Sequence, residues 1–265
     1  MPKPKTNNTN LPSEPPLTRR PRAVVVGASS GIGAAIVRRL ANEGYIVAAL
    51  ARNIDELGKL CAEINKARKE TNSLAYEHDV TDLPSIPLVF QGILKDLGGI
   101  DALVYVAGVM PKVEIDEFNL DKDRRMVETN LMGAVAWLGA AAGLFQRMKA
   151  GKLVGISSVA GDRGRVLNPG YNASKAGLDA YLEALRNRLT RLGVQVLTVK
   201  PGFVDTEMLK SSPRKFGVIS PERVAAGVWA AMRGRKQLVY LPWYWRWIMF
   251  MVRSMPSFIF RRLSF

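Results

Sequence analysis

Cysteine and histidine are almost missing from this chain. The single cysteine, Cys61, rules out an intramolecular disulfide and any cysteine-built metal site, and the single histidine, His78, removes most zinc chemistry. No metal is expected, and catalysis has to use other side chains. Carboxylates are missing from the end of the chain: none follows Glu222, while Arg233, Arg235, Lys236, Arg246, Arg253, Arg261 and Arg262 do. Long apolar runs are missing as well. Arg246, Arg253 and Pro256 break the final apolar stretches, so none reaches the roughly 20 residues that cross a bilayer. Nor does a basic start with an apolar core and a small-residue cleavage site open the chain, so no secretory leader is expected and the cytoplasm is the expected compartment. No internal repeat is apparent.

What is present points to one folded domain. The chain has 265 residues, 48% of them hydrophobic, which suffices for the full core of a single doubly wound α/β domain. Residues 1–21 are rich in proline, asparagine and threonine without an apolar period, and are predicted to form a disordered arm. From Ala23 on, short β-branched runs alternate with longer amphipathic stretches: AVVV, YIVAAL, SLAYEH, DALVYVA, KLVGIS, VQVLTV and LVYL are each followed or preceded by a helical pattern. Such alternation calls for parallel strands joined by right-handed helical crossovers. The expected fold is therefore a Rossmann-type doubly wound parallel sheet of about seven strands with helices on both faces, over residues 22–240. A basic, aromatic segment over 241–265 follows.

Between the first strand and the first helix stands Gly27-Ala28-Ser29-Ser30-Gly31-Ile32-Gly33. A glycine cluster at such a junction offers backbone N–H groups and a helix dipole to a pyrophosphate. Gly27 permits the tight turn, Gly31 lets backbone approach the phosphates, and Gly33 allows close helix packing. The second strand ends at Ala51-Arg52. An acidic residue there would accept from a ribose 2′-hydroxyl and repel a 2′-phosphate, whereas Arg52 can pair with the phosphate, so NADPH/NADP+ is favoured over NADH.

Tyr171 and Lys175 lie four residues apart in YNASK and would project from one helix face. An ammonium near a phenol favours phenolate and eases proton transfer. Around this pair the sequence resembles the short-chain dehydrogenase/reductase family from Arg22 to about Tyr240. The matching features, in the family's order, are the glycine motif at Gly27 to Gly33, Asp79 after the third strand, Asn130 in a helix, the serine of ISSVAG, Tyr171 with Lys175, and Pro201-Gly202 followed by Thr206. Two adjacent serines compete in ISSVAG, and the family's spacing selects Ser158 over Ser157.

The resemblance implies a reduction of a carbonyl. Tyr171 would donate the proton, Ser158 would hydrogen-bond the carbonyl oxygen, and Lys175 would lower the tyrosine pKa and hold the nicotinamide ribose. Asn130 would anchor a water leading from Lys175 to solvent. Asp79 and Val80 would hold the adenine end, Ala107 and Gly108 the ribose, and Thr206 with Pro201, Gly202 and Val204 the carboxamide or phosphates. Ser29, Ser30 and Ile32 complete the expected cofactor contacts. The family's Asn-Asn-Ala-Gly appears as Tyr105-Val106-Ala107-Gly108, so the amides that tie neighbouring strands are missing. The family also implies a dimer or tetramer through the long helices.

The formal charge of +15 suggests an anionic partner: nucleic acid, lipid or substrate. The cations after Glu222 accompany an aliphatic and aromatic stripe rather than a polar groove, which speaks against nucleic acid. Trp243, Trp245, Trp247 and Phe250 among arginines suit an element lying on an anionic membrane, at the inner face of the cell membrane, with Ile248, Met249, Met251 and Val252 dipping in. Packing on the sheet or in a subunit interface is the other reading, and the charge asymmetry favours the first. Only a short segment separates Thr206 from Pro221, which leaves the site open to a bulky substrate. GDRGR after Ser158, the run from Tyr171 to Leu189 and the ending FIFRRL are similar to bacterial decaprenylphosphoryl-2-keto-ribose reductases. That similarity implies a keto sugar on a polyprenyl phosphate, with Arg163 and Arg165 at the site mouth near the phosphate. A soluble broad-specificity carbonyl or 3-oxoacyl-type reductase, or an NADPH-binding scaffold without turnover, are the alternatives.

Overall fold

The computed structural model describes residues 19–210 and 216–263. In chain order its elements are β1 (Arg22–Val26), α1 (Gly31–Asn42), β2 (Ile46–Ala51), α2 (Ile54–Arg68), β3 (Ser73–Glu77), α3 (Ile86–Leu97) and β4 (Ala102–Tyr105). Then come α4 (Leu120–Val127), a π turn (Glu128–Met132), α5 (Gly133–Met148), β5 (Lys152–Ile156) and α6 (Pro169–Leu189). The chain continues with β6 (Gln195–Pro201), α7 (Glu207–Lys210), α8 (Pro221–Arg233), β7 (Leu238–Leu241), α9 (Trp245–Ser254) and α10 (Ser257–Phe260).

The strands form one sheet in the order β3-β2-β1-β4-β5-β6-β7, and every pairing is parallel. Alternate side chains of a strand face opposite ways, so a parallel sheet buried on both sides needs two apolar layers. Ala23 and Val25 enter one layer with Leu40 of α1, Leu57 of α2 and Val228 of α8. Val24 and Val26 enter the other with Phe90 of α3, Trp137 of α5 and Leu182 of α6. The strand order reverses between β1 and β4, and ligands of open α/β sheets bind outside the carboxyl ends of strands at such a reversal.

Both ends of the domain differ from expectation. Residues 1–18 of the predicted arm lie outside the described residues, but the predicted arm does not extend to Pro21. Arg19 pairs with Asp101 at 2.9 Å, Arg20 with Glu70 at 3.1 Å, and the carbonyl of Pro21 accepts from the Ile46 amide at 2.9 Å. At the other end Trp245 and Met249 of α9 are buried against Val159 and Tyr240. The basic segment after residue 240 therefore takes part in the fold, which is the second of its two readings, while Trp243, Trp247, Phe250 and Met251 remain exposed.

Candidate active site

The turn after β1 is built by close approach. Gly27 has φ +93°, and its amide and that of Ala28 both donate to the carbonyl of Leu50 at 2.9 Å. A Cβ on Gly27 would run into the backbone nitrogen of Ala107, and one on Gly33 into the Gly27 carbonyl oxygen, so side chains at these positions would push β1, α1 and the strand-β4 loop apart. Ser30 precedes α1 in extended conformation, its side chain caps no amide, and the first turn holds no acidic residue. The free N–H groups there are thus available to an anion. By contrast α2 is capped by Asn53, whose Oδ1 accepts from the Glu56 amide at 3.1 Å.

A cleft of about 860 Å³ runs from this turn across the carboxyl ends of the strands. It brings together Gly27, Ser29, Ser30, Gly31, Ile32, Gly33, Arg52, Asp79, Val80, Ala107, Gly108 and Thr206, as expected from sequence. Pro201, Gly202 and Val204 line the adjoining cavity instead. Arg52 is exposed and 3.9 Å from Asp79, whose Oδ1 accepts from the amide and hydroxyl of Thr81 at 2.9 and 2.8 Å. Burial works against the Asp79 charge, but the Thr81 bonds and Arg52 outweigh it and hold the carboxyl below its ordinary range. Arg38, one turn beyond Gly33, is a second cation on the cleft, paired with Glu63 at 2.8 Å. Nothing in the glycine motif five residues before it marks which face of α1 it takes.

The catalytic candidates come from three elements. Ser158 precedes a one-turn helix, Val159–Gly161, and its Oγ accepts from the Ala160 amide at 3.1 Å. Tyr171 lies in the first turn of α6 and Lys175 one turn on, both buried. Asn130 sits in the π turn, a helical insertion common at functional sites. Its Oδ1 accepts from the Val109 amide at 2.7 Å, and its Nδ2 donates to the Val109 carbonyl at 3.0 Å and to Ser174 Oγ at 3.1 Å. Both amide hydrogens are committed, so a relay water at Asn130 has only oxygen atoms to bind there.

The electrostatics add a group to the sequence expectation. Burial raises the Tyr171 phenol, and the groups that pull it back are the Ser158 hydroxyl and the Arg165 cation. Lys175 stands 5.8 Å from the Tyr171 ring centroid and donates to the Ile156 carbonyl at 3.0 Å. Burial pushes Lys175 down to about 8, with Asp179 opposing. Arg165 is thus a further cation near the phenol, beside the Lys175 expected from sequence.

Tyr105 replaces the missing asparagine tie. Its buried hydroxyl donates to the Thr129 carbonyl at 2.5 Å, joining β4 to the π turn, and a Cβ on Gly133 would lie 2.5 Å from that hydroxyl. Tyr105 and Gly133 form a matched pair that a strand-only reading of DALVYVA does not reveal.

Beside the cleft lies a cavity of about 640 Å³, with Ile32, Met110, Thr206 and Met208 lining both. Ser158, Tyr171 and Arg165 face it, and Trp245, Ile248, Met249 and Val252 of α9 supply an apolar wall. The opening expected from the short segment after Thr206 is thus walled on one side by α9. Arg163 does not reach the cavity. Its Nη1 donates to the carbonyl of Val252 and to that of Met255 at 2.6 Å, and its guanidinium lies 3.9 Å from the Phe260 ring centroid. It caps the carboxyl end of α9, where a cation meets unpaired carbonyls. Its expected place near a substrate phosphate is corrected accordingly. The Arg165 guanidinium makes no hydrogen bond or ion pair among the described residues, and its Nε is buried without a partner.

The family model described as short chain dehydrogenase matches residues 21–216. An uncharacterized oxidoreductase of Mycobacterium tuberculosis is 31% identical over 229 residues, covering 86% of this chain and 90% of its own. Among solved structures, an alcohol dehydrogenase from the archaeon Thermococcus sibiricus complexed with 5-hydroxy-NADP is 27% identical with a TM-score of 0.76, covering 83% of this chain and 95% of that one. A single-substitution variant of the actinorhodin polyketide ketoreductase with NADPH is 28% identical, with the same TM-score and coverage.

Replacing Lys175 with methionine separates its chemical from its structural effect. Native Lys175 loses its proton near 8 and an unfolded lysine only near 10.5. Between these values the unfolded state binds more protons, so this residue's contribution to stability rises with pH. We expect Lys175→Met to be more stable relative to wild type at pH 7 than at pH 9.5, by about 2 kcal/mol in denaturant titrations. An offset independent of pH would show that the native lysine titrates normally.

Proposed function

The chain belongs to the short-chain dehydrogenase family, and from that premise we propose that it is an NADPH-dependent reductase turning a ketone into an alcohol. The observation that carries this reading is the buried Tyr171, which faces the same apolar cavity as Ser158 where that cavity adjoins the cleft. The fit of the cofactor rests on the crowded Gly27–Gly33 turn and the uncapped amides of α1, and the NADP-type ligands of the two solved relatives support it. The turn and α1 would hold the pyrophosphate, Asp79 and Val80 the adenine end, Arg52 the 2′-phosphate, Thr206 the far end, and Tyr171 with Lys175 the nicotinamide ribose. When bound, NADPH supplies the hydride to the carbonyl carbon. Tyr171 gives its proton to the carbonyl oxygen, Ser158 hydrogen-bonds that oxygen and fixes its place, and Arg165 and Lys175 stabilise the phenolate that is left.

The substrate is a ketone on a long-chain or lipid-linked molecule, such as a polyprenyl-phosphate keto sugar. The apolar wall from α9 suits a hydrocarbon portion, and the unpaired Arg165 guanidinium suits an anionic group. No described helix is long and apolar enough to cross a membrane. The exposed Trp243, Trp247, Phe250 and Met251, set among Arg246, Arg253, Arg261 and Arg262, support peripheral adsorption to an anionic bilayer.

Three measurements test these statements. Tyr171→Phe keeps the ring and deletes the proton donor, so NADPH oxidation with a reducible ketone should fall roughly a hundredfold or more; unchanged turnover would remove Tyr171 from the chemistry. Arg52→Asp should move the NADPH/NADH preference in kcat/KM toward NADH by about ten- to a hundredfold, the worth of a charge-assisted contact, and no shift would place the 2′-phosphate contact elsewhere. In flotation with phosphatidylglycerol vesicles, the double substitution Trp247→Asp with Phe250→Asp should release the protein without changing its melting temperature. Equal partitioning of both forms would end the membrane reading.

A further inference from the structure

Behind the catalytic face of α6 lies a buried charge cluster. Lys200 of β6 has its Nζ 2.5 Å from Asp162 Oδ1 and 2.8 Å from Asp179 Oδ2, with side-chain exposures of 8%, 1% and 16% for the three. Tyr240 of β7 donates to Asp162 Oδ2 at 3.0 Å. Asp162 ends the one-turn helix that Ser158 begins, and Asp179 is one helical turn beyond Lys175. The two meet at Gly161, where a Cβ would stand 2.6 Å from Asp179 Oδ2 and 2.9 Å from the Lys175 carbonyl. Ser157, the serine passed over for catalysis, also faces this contact and donates to the Lys175 carbonyl at 3.3 Å.

We propose that Asp162, Lys200 and Asp179 form a positioning cluster for the catalytic set. It clamps the Ser158 turn onto α6 at Lys175 and holds two carboxylates to one ammonium, with Asp179 one helical turn from Lys175. Two carboxylates against one ammonium is an unusual buried arrangement, because removing three charges from water is costly and a simple pair would neutralise itself. The extra carboxylate has a use if a further cation is near. Lys175 is that cation: its ammonium is bonded only to the Ile156 carbonyl among the described residues, and it lies one turn from Asp179.

The groups facing this region are few. On α6 they are Tyr171, Asp179 and, farther along, Arg186, which Asp179 also favours in its charged form. The loop after β5 brings Asp162 and Arg165, β6 brings Lys200, β7 brings Tyr240, and α9 brings Arg253, which acts on Tyr240. Burial works against the charge of Lys200, and the two carboxylates outweigh it and hold the ammonium above its ordinary range. Burial raises Asp179, against the pull of Lys200. Asp179 in turn raises Lys175 against its own desolvation. Removal of the Asp179 charge therefore lowers the Lys175 pKa.

The test is a titration of the full chain without cofactor or substrate, so that it stands apart from the proposed reaction. Lysine 13Cε resonances are followed by NMR against pH, with the Lys175 signal identified by its loss in Lys175→Met. In Asp179→Asn the Lys175 midpoint should drop by about 1 pH unit. In Asp162→Asn, where Lys200 keeps one carboxylate, it should drop by less. If a ketone substrate is turned over, the alkaline limb of kcat/KM should move down with the same order. Unchanged Lys175 midpoints in both folded variants, with only the melting temperature lowered, would reduce the cluster to a structural role and overturn the proposal. Should Asp179→Asn fail to fold, Asp162→Asn alone decides on the same criterion.

Discussion

Three hydrogen bonds from one buried amide, that of Asn130, tie the cofactor half of the site to the catalytic half. The amide reads Val109 on both its N–H and C=O, and through Ser174 reaches the Tyr171 carbonyl, to which Ser174 Oγ donates at 2.8 Å. A regular α-helix would not place the amide here; the π turn inserts an extra residue and rotates Asn130 inward. Tyr105 holds that turn from below through Thr129. The loop carrying Ala107 and Gly108, the turn carrying Asn130 and the start of α6 are thus one hydrogen-bonded unit. A side chain leaving it strands buried polar partners, at a cost of about 1–3 kcal/mol for each group.

The C-terminal segment has two faces with different obligations. Trp245, Ile248, Met249 and Val252 recur at helical spacing and close one side of the apolar cavity. Trp247, Phe250 and Met251 occupy the opposite side of α9 in solvent. An amphipathic helix normally offers polar residues there, so this helix has apolar surface left over after packing. Arg163 fixes its carboxyl end to the loop that follows Ser158. The same helix thus carries an outer apolar face and one wall of the cavity.

Fold and cofactor cleft were legible in the sequence because both depend on local pattern: short β-branched runs, helical runs between them, and glycines where β1, β4 and α1 crowd. Tyr171, Lys175 and Ser158 were legible through their order and spacing. The rest depends on contacts between residues far apart in the chain, which no local pattern records. The sequence reading of GDRGR puts both arginines at the site mouth, yet its Asp162 is buried on Lys200, its Arg163 caps α9 and its Arg165 faces the same cavity as Tyr171. Three neighbours thus have three unrelated tasks. The aromatic tail was ambiguous for a physical reason: the same composition serves a core wall and an interfacial surface, and here it supplies both a buried and an exposed apolar face.

Burial at the start of α6 acts on its two ionisable groups in opposite senses. It keeps the Tyr171 phenol protonated and makes the Lys175 ammonium easier to neutralise. In the proposed reduction Tyr171 has to begin with its proton, and burial acts in that direction. The cost falls on the step after, when a phenolate is left in a buried site. Arg165 on the cavity side and Lys175 on the helix side are the cations placed to offset it, and the Ser158 hydroxyl adds a hydrogen bond.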